Sequence, residues 1–85
     1  MSWIWEFTKE SEKQFKKLDN QTKKRVLEKL DFWVSSGSPL EFAENLHDFE
    51  LGSYRFRIGD YRVTFDVEDK TIVVLAVGHR REIYK

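Results

Sequence analysis

The chain has 85 residues, a mass of 10.3 kDa and a mean hydropathy of −0.63; 40% of its residues are apolar and 35% charged. That length holds one domain, 1–85, and excludes a two-domain enzyme, a TIM barrel or a dinucleotide-binding fold, while three Trp, three Tyr and seven Phe supply a core and exclude a disordered chain. Fifteen basic residues balance fifteen acidic ones, and the absence of cysteine rules out disulfides and thiolate zinc sites.

The balance is uneven along the chain. Residues 1–50 carry eight basic and ten acidic side chains, net −2; residues 51–85 carry seven basic and five acidic, net +2, and five of those seven are Arg. Net charge therefore gives no argument for a nucleic-acid partner, although a local arginine surface does. No apolar run approaches the ~18 residues of a membrane span. Ser2–Phe7 lacks the basic start and long apolar stretch of a secretory signal. A cytoplasmic domain without membrane contact is expected.

Trp3, Trp5 and Phe7 alternate with Ile4 and Glu6, the period-2 pattern of a short strand. Thr8 offers an N-cap for a helix whose buried side carries Phe15 and Leu18. Asp19 and Asn20 interrupt it and cap a second helix. There Val26, Leu30 and Trp33 follow i, i+4, i+7, widened by Leu27 and Val34, until Ser35–Pro39 stops it. Residues 40–51 read as an acidic connector with apolar anchors Phe42, Leu46 and Phe49.

The last third alternates most clearly. Tyr54, Phe56 and Ile58 interleave with Arg55 and Arg57; Tyr61, Val63, Phe65 and Val67 interleave with Arg62, Thr64 and Asp66. Gly59-Asp60 suits a two-residue hairpin turn of type II′. After a turn at Glu68-Asp69-Lys70, the apolar run Thr71–Val77 predicts a strand buried on both faces. The order β-α-α-β-β-β predicts an α+β domain, with a helical hairpin on one face of a four-stranded, mostly antiparallel sheet.

A two-residue loop at Gly59-Asp60 sets Arg57 directly opposite Arg62 and Arg55 opposite Thr64, on the face away from the helices. Like charges facing each other cost a few tenths to about 1 kcal/mol. Solvent screening makes such a pair tolerable on an open surface, and a polyanion between the two guanidiniums makes it useful. Both readings stay open at this level. Taking Asp69-Lys70 as the turn sets Val77 opposite Arg62 and carries His79 and Arg81 onto the arginine face.

Tyr54-Arg55-Phe56-Arg57-Ile58-Gly59-Asp60-Tyr61-Arg62-Val63, followed by Val77-Gly78-His79-Arg80-Arg81-Glu82-Ile83-Tyr84, resembles the RelE/ParE toxin superfamily of type II toxin–antitoxin systems. Phe15–Asp19 and Lys23–Leu30 resemble the helical hairpin of that superfamily, so the likeness covers nearly the whole chain. The RelE branch implies a ribosome-dependent mRNA endoribonuclease that needs neither metal nor other cofactor. There the ribose 2′-hydroxyl attacks, leaving a cyclic 2′,3′-phosphate and a 5′-hydroxyl. Carried over by position, the resemblance implies work for Arg55, Arg57, Arg62, Arg80 and Tyr84.

Convergent arginines stabilise charge on the scissile phosphate, and a C-terminal tyrosine offers a ring for stacking and a hydroxyl. Better-known RelE members have lysine where this chain has Arg55 and Arg57. Arginine keeps its proton, so neither is a general base, and His79 is the best-placed titrating group because imidazole changes charge near neutrality. Arg81 is a substitute for Arg80. Lys16, Lys17, Lys23 and Lys24 are solvated helix positions that, with the resemblance, become candidate RNA contacts.

The same resemblance implies a cognate antitoxin partner, a small DNA-binding protein with a partly disordered tail, and hence a hetero-oligomer. Two alternatives stand beside the nuclease: a ParE-like toxin that inhibits DNA gyrase by binding, and a weakened member that chiefly binds its antitoxin. His47-Asp48 and His79 lack metal-ligand spacing.

Overall fold

The structure is a computed structural model and describes residues 2–84. Its elements are β1 (Ile4–Phe7), α1 (Lys9–Lys16), α2 (Asn20–Ser35), a 3₁₀ turn (Pro39–Phe42), β2 (Glu44–Asp48), β3 (Gly52–Ile58), β4 (Tyr61–Glu68), β5 (Thr71–His79) and α3 (Arg80–Ile83). The sheet runs β1-β5-β4-β3-β2, with β1 parallel to β5 and the other pairs antiparallel. The α+β class and the helical hairpin agree with the sequence reading. The sheet has five strands rather than four.

The extra strand lies in the stretch read as a connector. Glu-Asn-Leu-His-Asp has little intrinsic strand preference. It pairs because Glu44 meets Arg55 and Asn45 meets Tyr54, an opposite-charge contact across the ladder. The pairing is irregular before Asp48, where His47 adopts φ 55°. A short, charged edge strand of this kind also discourages edge-to-edge association.

Helix α1 starts at a reciprocal cap. Thr8 Oγ1 accepts from Ser11 N–H at 3.1 Å and Ser11 Oγ accepts from Thr8 N–H at 2.9 Å. The fully buried Ser11 hydroxyl also donates to Val74 O at 2.7 Å, tying the helix start to β5. Asp19 caps α2 by accepting from the Thr22 N–H, and the Thr22 hydroxyl, followed by that backbone bond, holds its carboxyl below the usual range.

The core joins Val26, Leu30 and Trp33 of α2 to Phe56, Ile58, Val63, Phe65, Ile72, Val74 and Val77 of the sheet. Trp33 stacks on Phe56 at 3.9 Å between centroids, and Phe56 on Phe65 at 4.5 Å. Such pairs add about 0.5–1.5 kcal/mol each beyond their buried area. At the hairpin tip Gly59 sits at φ 60° while Asp60 keeps a negative φ, as a type II′ turn requires.

Strand β5 departs from prediction in two ways. Thr71, Val73 and Leu75 are half-buried, so its first half is covered on one face only; Ala76, Val77 and Gly78 are buried in succession. There is also a bulge: Phe65 pairs with Val74 but Thr64 with Ala76, leaving Leu75 as the additional residue. Arg62 therefore opposes Gly78, not Val77, and His79 opposes Tyr61.

Candidate nucleic-acid interface

The face of the sheet opposite α1 and α2 presents Arg55 and Arg57 from β3 beside Arg62 and Thr64 from β4. Arg57 is opposite Arg62 and Arg55 opposite Thr64, as the alternation predicts. The like-charged pair is relieved by divergence. Arg57, with its side chain 56% exposed, reaches toward β2 and lies 3.6 Å from Glu44 Oε2. Arg62 is 5% exposed, and its Nη1 donates to Gly59 O at 2.8 Å and Tyr61 O at 2.9 Å. Its guanidinium thus braces the hairpin turn rather than forming one jaw of a clamp with Arg57. The carbonyls of a tight turn point where a long side chain three residues on can reach them, and nothing in the alternation announces that.

Arg55 joins three elements. Its Nε donates to Glu44 Oε1 at 2.9 Å, its Nη1 donates to the Tyr84 hydroxyl at 2.9 Å, and its Cζ lies 5.7 Å from the Tyr84 ring centre. The bond to Tyr84, then that to Glu44, raises its already high pKa. The Arg55 guanidinium holds the Glu44 carboxyl below its ordinary value, with Arg57 adding to the effect. Glu44 is the member of this array that sequence reasoning missed. Its only signal was an acidic residue in a segment with no strand pattern.

The remaining candidates are placed elsewhere. The Leu75 bulge turns His79 to the helical side of the sheet, where its ring meets Tyr61 edge-on at 5.5 Å and its Nδ1 accepts from Arg81 N–H at 3.1 Å. His79 is the N-cap of α3 and not a member of the arginine face. Arg81 is exposed and belongs to α3, which the chain enters at Arg80, rather than to strand β5. Arg80 sits at the hairpin tip: its N–H donates to Asp60 O at 2.8 Å and its Nε is 3.9 Å from Asp60 Oδ1. The Arg25 guanidinium also lies there, 3.5 Å from where a Cβ on Gly59 would stand. Arg25, Arg62 and Arg80 thus come together at the Gly59-Asp60 turn from three different elements.

Lys16, Lys17, Lys23 and Lys24 belong to the helical layer, across the sheet from Arg57; Lys24 lies 4.0 Å from Glu28. A cleft of about 470 Å³ opens between the end of α1, the end of β5 and α3, lined by Gln14, Leu18, Tyr61, His79 and Ile83 among others. Gln14 Oε1 there accepts from Val77 N–H at 3.0 Å, on the β5 edge that β1 leaves uncovered. Among the described residues no three His, Asp or Glu side chains gather as a metal site, and no helix is long and apolar enough to cross a membrane.

A helical hairpin on one face of a mixed sheet, with arginines and a C-terminal tyrosine on the other, defines a RelE/ParE-type toxin domain. The family model of the ParE toxin of the type II toxin–antitoxin system parDE matches residues 5–84. The chain belongs to that family, within the RelE/ParE superfamily, and is the toxin of a type II system. No curated protein matches it by sequence.

Solved structures give the same fold. A chain of the RelBE2 toxin–antitoxin complex from Mycobacterium tuberculosis is 25% identical, with a TM-score of 0.79 over 94% of this chain and 100% of that one. A chain of the archaeal RelE–RelB complex from Pyrococcus horikoshii is 30% identical, with a TM-score of 0.69 over 94% and 97%. A mutant of the E. coli toxin RelE in the free state is 21% identical, with a TM-score of 0.73 over 99% and 92%, a likeness of fold.

Proposed function

We propose that this toxin cleaves mRNA in the ribosome without a metal, using the face built on β3. The observation that carries the reading is the array Arg57, Arg55, Tyr84 and Glu44. It comprises an exposed guanidinium, a second one held in place, an aromatic ring brought to it, and a carboxylate between the two arginines. In-line attack by a 2′-oxygen places charge on the non-bridging phosphate oxygens, which Arg57 and Arg55 stabilise electrostatically. The Tyr84 ring, 42% exposed, stacks on a flanking base.

Arginine does not give up its proton, so Glu44 is the proton acceptor within this array. Its depressed pKa makes it a weak base. Most of the acceleration then comes from charge stabilisation and from holding the nucleotide in line. Arg62 and Arg80 enter as supports of the hairpin tip.

A second reading is favoured by one observation: the matching family model is that of ParE. In that reading the toxin binds DNA gyrase and has no nuclease chemistry. Mapping RNA ends in a purified translation reaction separates the two. Cleavage within codons that is lost in Arg57→Ala supports the nuclease, whereas intact mRNA with gyrase-dependent DNA breaks overturns it.

The partner is a cognate antitoxin, as in the RelB-bound neighbours. Phe32 and Phe42, 56% and 47% exposed with ring centroids 5.8 Å apart, form an apolar surface on α2 and the 3₁₀ turn that suits a segment folding on contact. Co-expression with the adjacent small gene and size-exclusion chromatography tests it. Two species running independently at micromolar concentration count against it.

A further inference from the structure

Thr64 stands in the middle of β4 on the arginine face, between Arg55 on β3 and Ala76 on β5. It is 0% exposed, and its hydroxyl has no hydrogen-bond partner among the described residues. A buried hydroxyl without a partner is destabilising, and valine would fill the same shape without that penalty.

The C-terminal segment passes over this part of the sheet, beside the Leu75 side chain, which reaches from β5 toward Gly52 on β3. Ile83 packs over Gly78, its Cδ1 3.6 Å from where a Cβ would stand. Tyr84 is then bonded to Arg55. Gly78 pairs with Arg62 and Arg55 pairs with Thr64, so a segment reaching from Gly78 on β5 to Arg55 on β3 crosses β4 between Arg62 and Thr64.

We infer that Thr64 is a contact residue for RNA, its hydroxyl donating to a phosphodiester oxygen held by Arg57 and Arg55 once Ile83 and Tyr84 shift off β4. The inference rests on the RNA-cleaving reading above. The side chain directly across from Thr64 is Arg55, and Arg57 lies on the diagonal, within roughly 7–8 Å of backbone separation. One phosphate group spans those positions. A threonine hydroxyl rotates freely and can turn its proton to such an oxygen. That shift exchanges the Tyr84–Arg55 bond for the stack of the Tyr84 ring on the flanking base, and frees the Arg55 Nη1 donor for the same phosphate.

The test uses the full-length toxin and a short RNA with 2′-O-methyl groups throughout, which cannot be cleaved, titrated to millimolar concentration and followed by NMR. Thermal melts accompany it. Thr64→Val is expected to raise the melting temperature by roughly 4–8 °C while weakening RNA binding about tenfold or more, as loss of a bond to a charged group does. Thr64→Ser is expected to restore binding despite lower stability.

A Thr64→Val protein that binds as wild type, or that melts lower, overturns the inference; lower melting shows that the hydroxyl already had a partner. If Arg57→Ala weakens binding and Thr64→Val does not, Thr64 fails alone and the RNA-binding reading stands. If neither changes binding, or wild type shows no saturable binding at millimolar RNA, both fail.

Discussion

Arg62→Ala tests how the arginines divide between support and chemistry. The wild-type guanidinium is 5% exposed and bonds two turn carbonyls at 2.8 and 2.9 Å. Bonds of this charged kind contribute roughly 1.5–3 kcal/mol each. Much of that is offset, because alanine also removes a charge that folding had to desolvate. It further relieves the facing pair with Arg57, worth a few tenths to about 1 kcal/mol. The balance is a loss of about 1–3 kcal/mol, and a domain of this size loses roughly 4–8 °C of melting temperature per kcal/mol.

The expected result is therefore melting lower by about 4–24 °C. Residual cleavage, measured well below the new midpoint, should follow the folded fraction. Arg62→Lys should fall between the two, since a single ammonium on a flexible stem replaces a planar fork. The reasoning is refuted by a protein that melts at or above wild type yet has lost cleavage. That pattern belongs to a guanidinium acting on phosphate.

Arg57→Ala should behave oppositely, with melting unchanged and ribosome-dependent cleavage down roughly 10²–10³-fold, as when a transition-state donor is removed; wild-type cleavage would remove Arg57 from the site. Tyr84→Phe keeps the ring but not the hydroxyl that Arg55 holds, so cleavage should stay within about tenfold of wild type while Tyr84→Ala loses more, stacking being worth about 1–3 kcal/mol. The Glu44 carboxyl has a depressed folded-state pKa, so its contribution is fully present above its unfolded value of 4.5 and lost as pH falls through the lower folded value. Acid titration of melting temperature should thus show a decline below pH 4.5 that Glu44→Gln flattens. Gly52→Ala should impair folding, because at φ 105° its Cβ would stand 2.7 Å from Phe65 O and 2.9 Å from Leu75 Cδ1; a wild-type melt would contradict that.

The β3–β4 hairpin was legible because alternation fixes both register and face. Arg57 opposite Arg62 followed from Gly59-Asp60 alone. Two other features left no trace in the pattern. Thr71–Val77 is a near-continuous apolar run, so the additional residue at Leu75 changes nothing in its hydropathy, yet it moves His79 to the far side of the sheet. Strand β2 exists through its partner: Glu44 and Asn45 are strand residues because Arg55 and Tyr54 lie beside them. The site was read as a set of positive charges because only the β3 half of it carried an alternating signal.

Arginine at position 55 and the neutral net charge have a common physical consequence. A lysine there would offer one compact ammonium, able to meet Glu44 or reach toward Tyr84 without fixing the angle between them. The guanidinium meets both at 2.9 Å, Nε toward β2 and Nη1 toward the C-terminus. It fixes the tyrosine over the sheet and satisfies the carboxylate with the same planar group. The acidic residue that neutralises this face is thus also what orders it. A phosphate entering the array must compete with Glu44 for Arg55 and Arg57, at a cost that rises as salt screens the long-range attraction. With net charge zero there is little general steering to compensate. Affinity for RNA alone should therefore be weak, and under the proposed function it is the ribosome, by delivering the message to this face, that would supply the effective concentration the toxin's own charge does not.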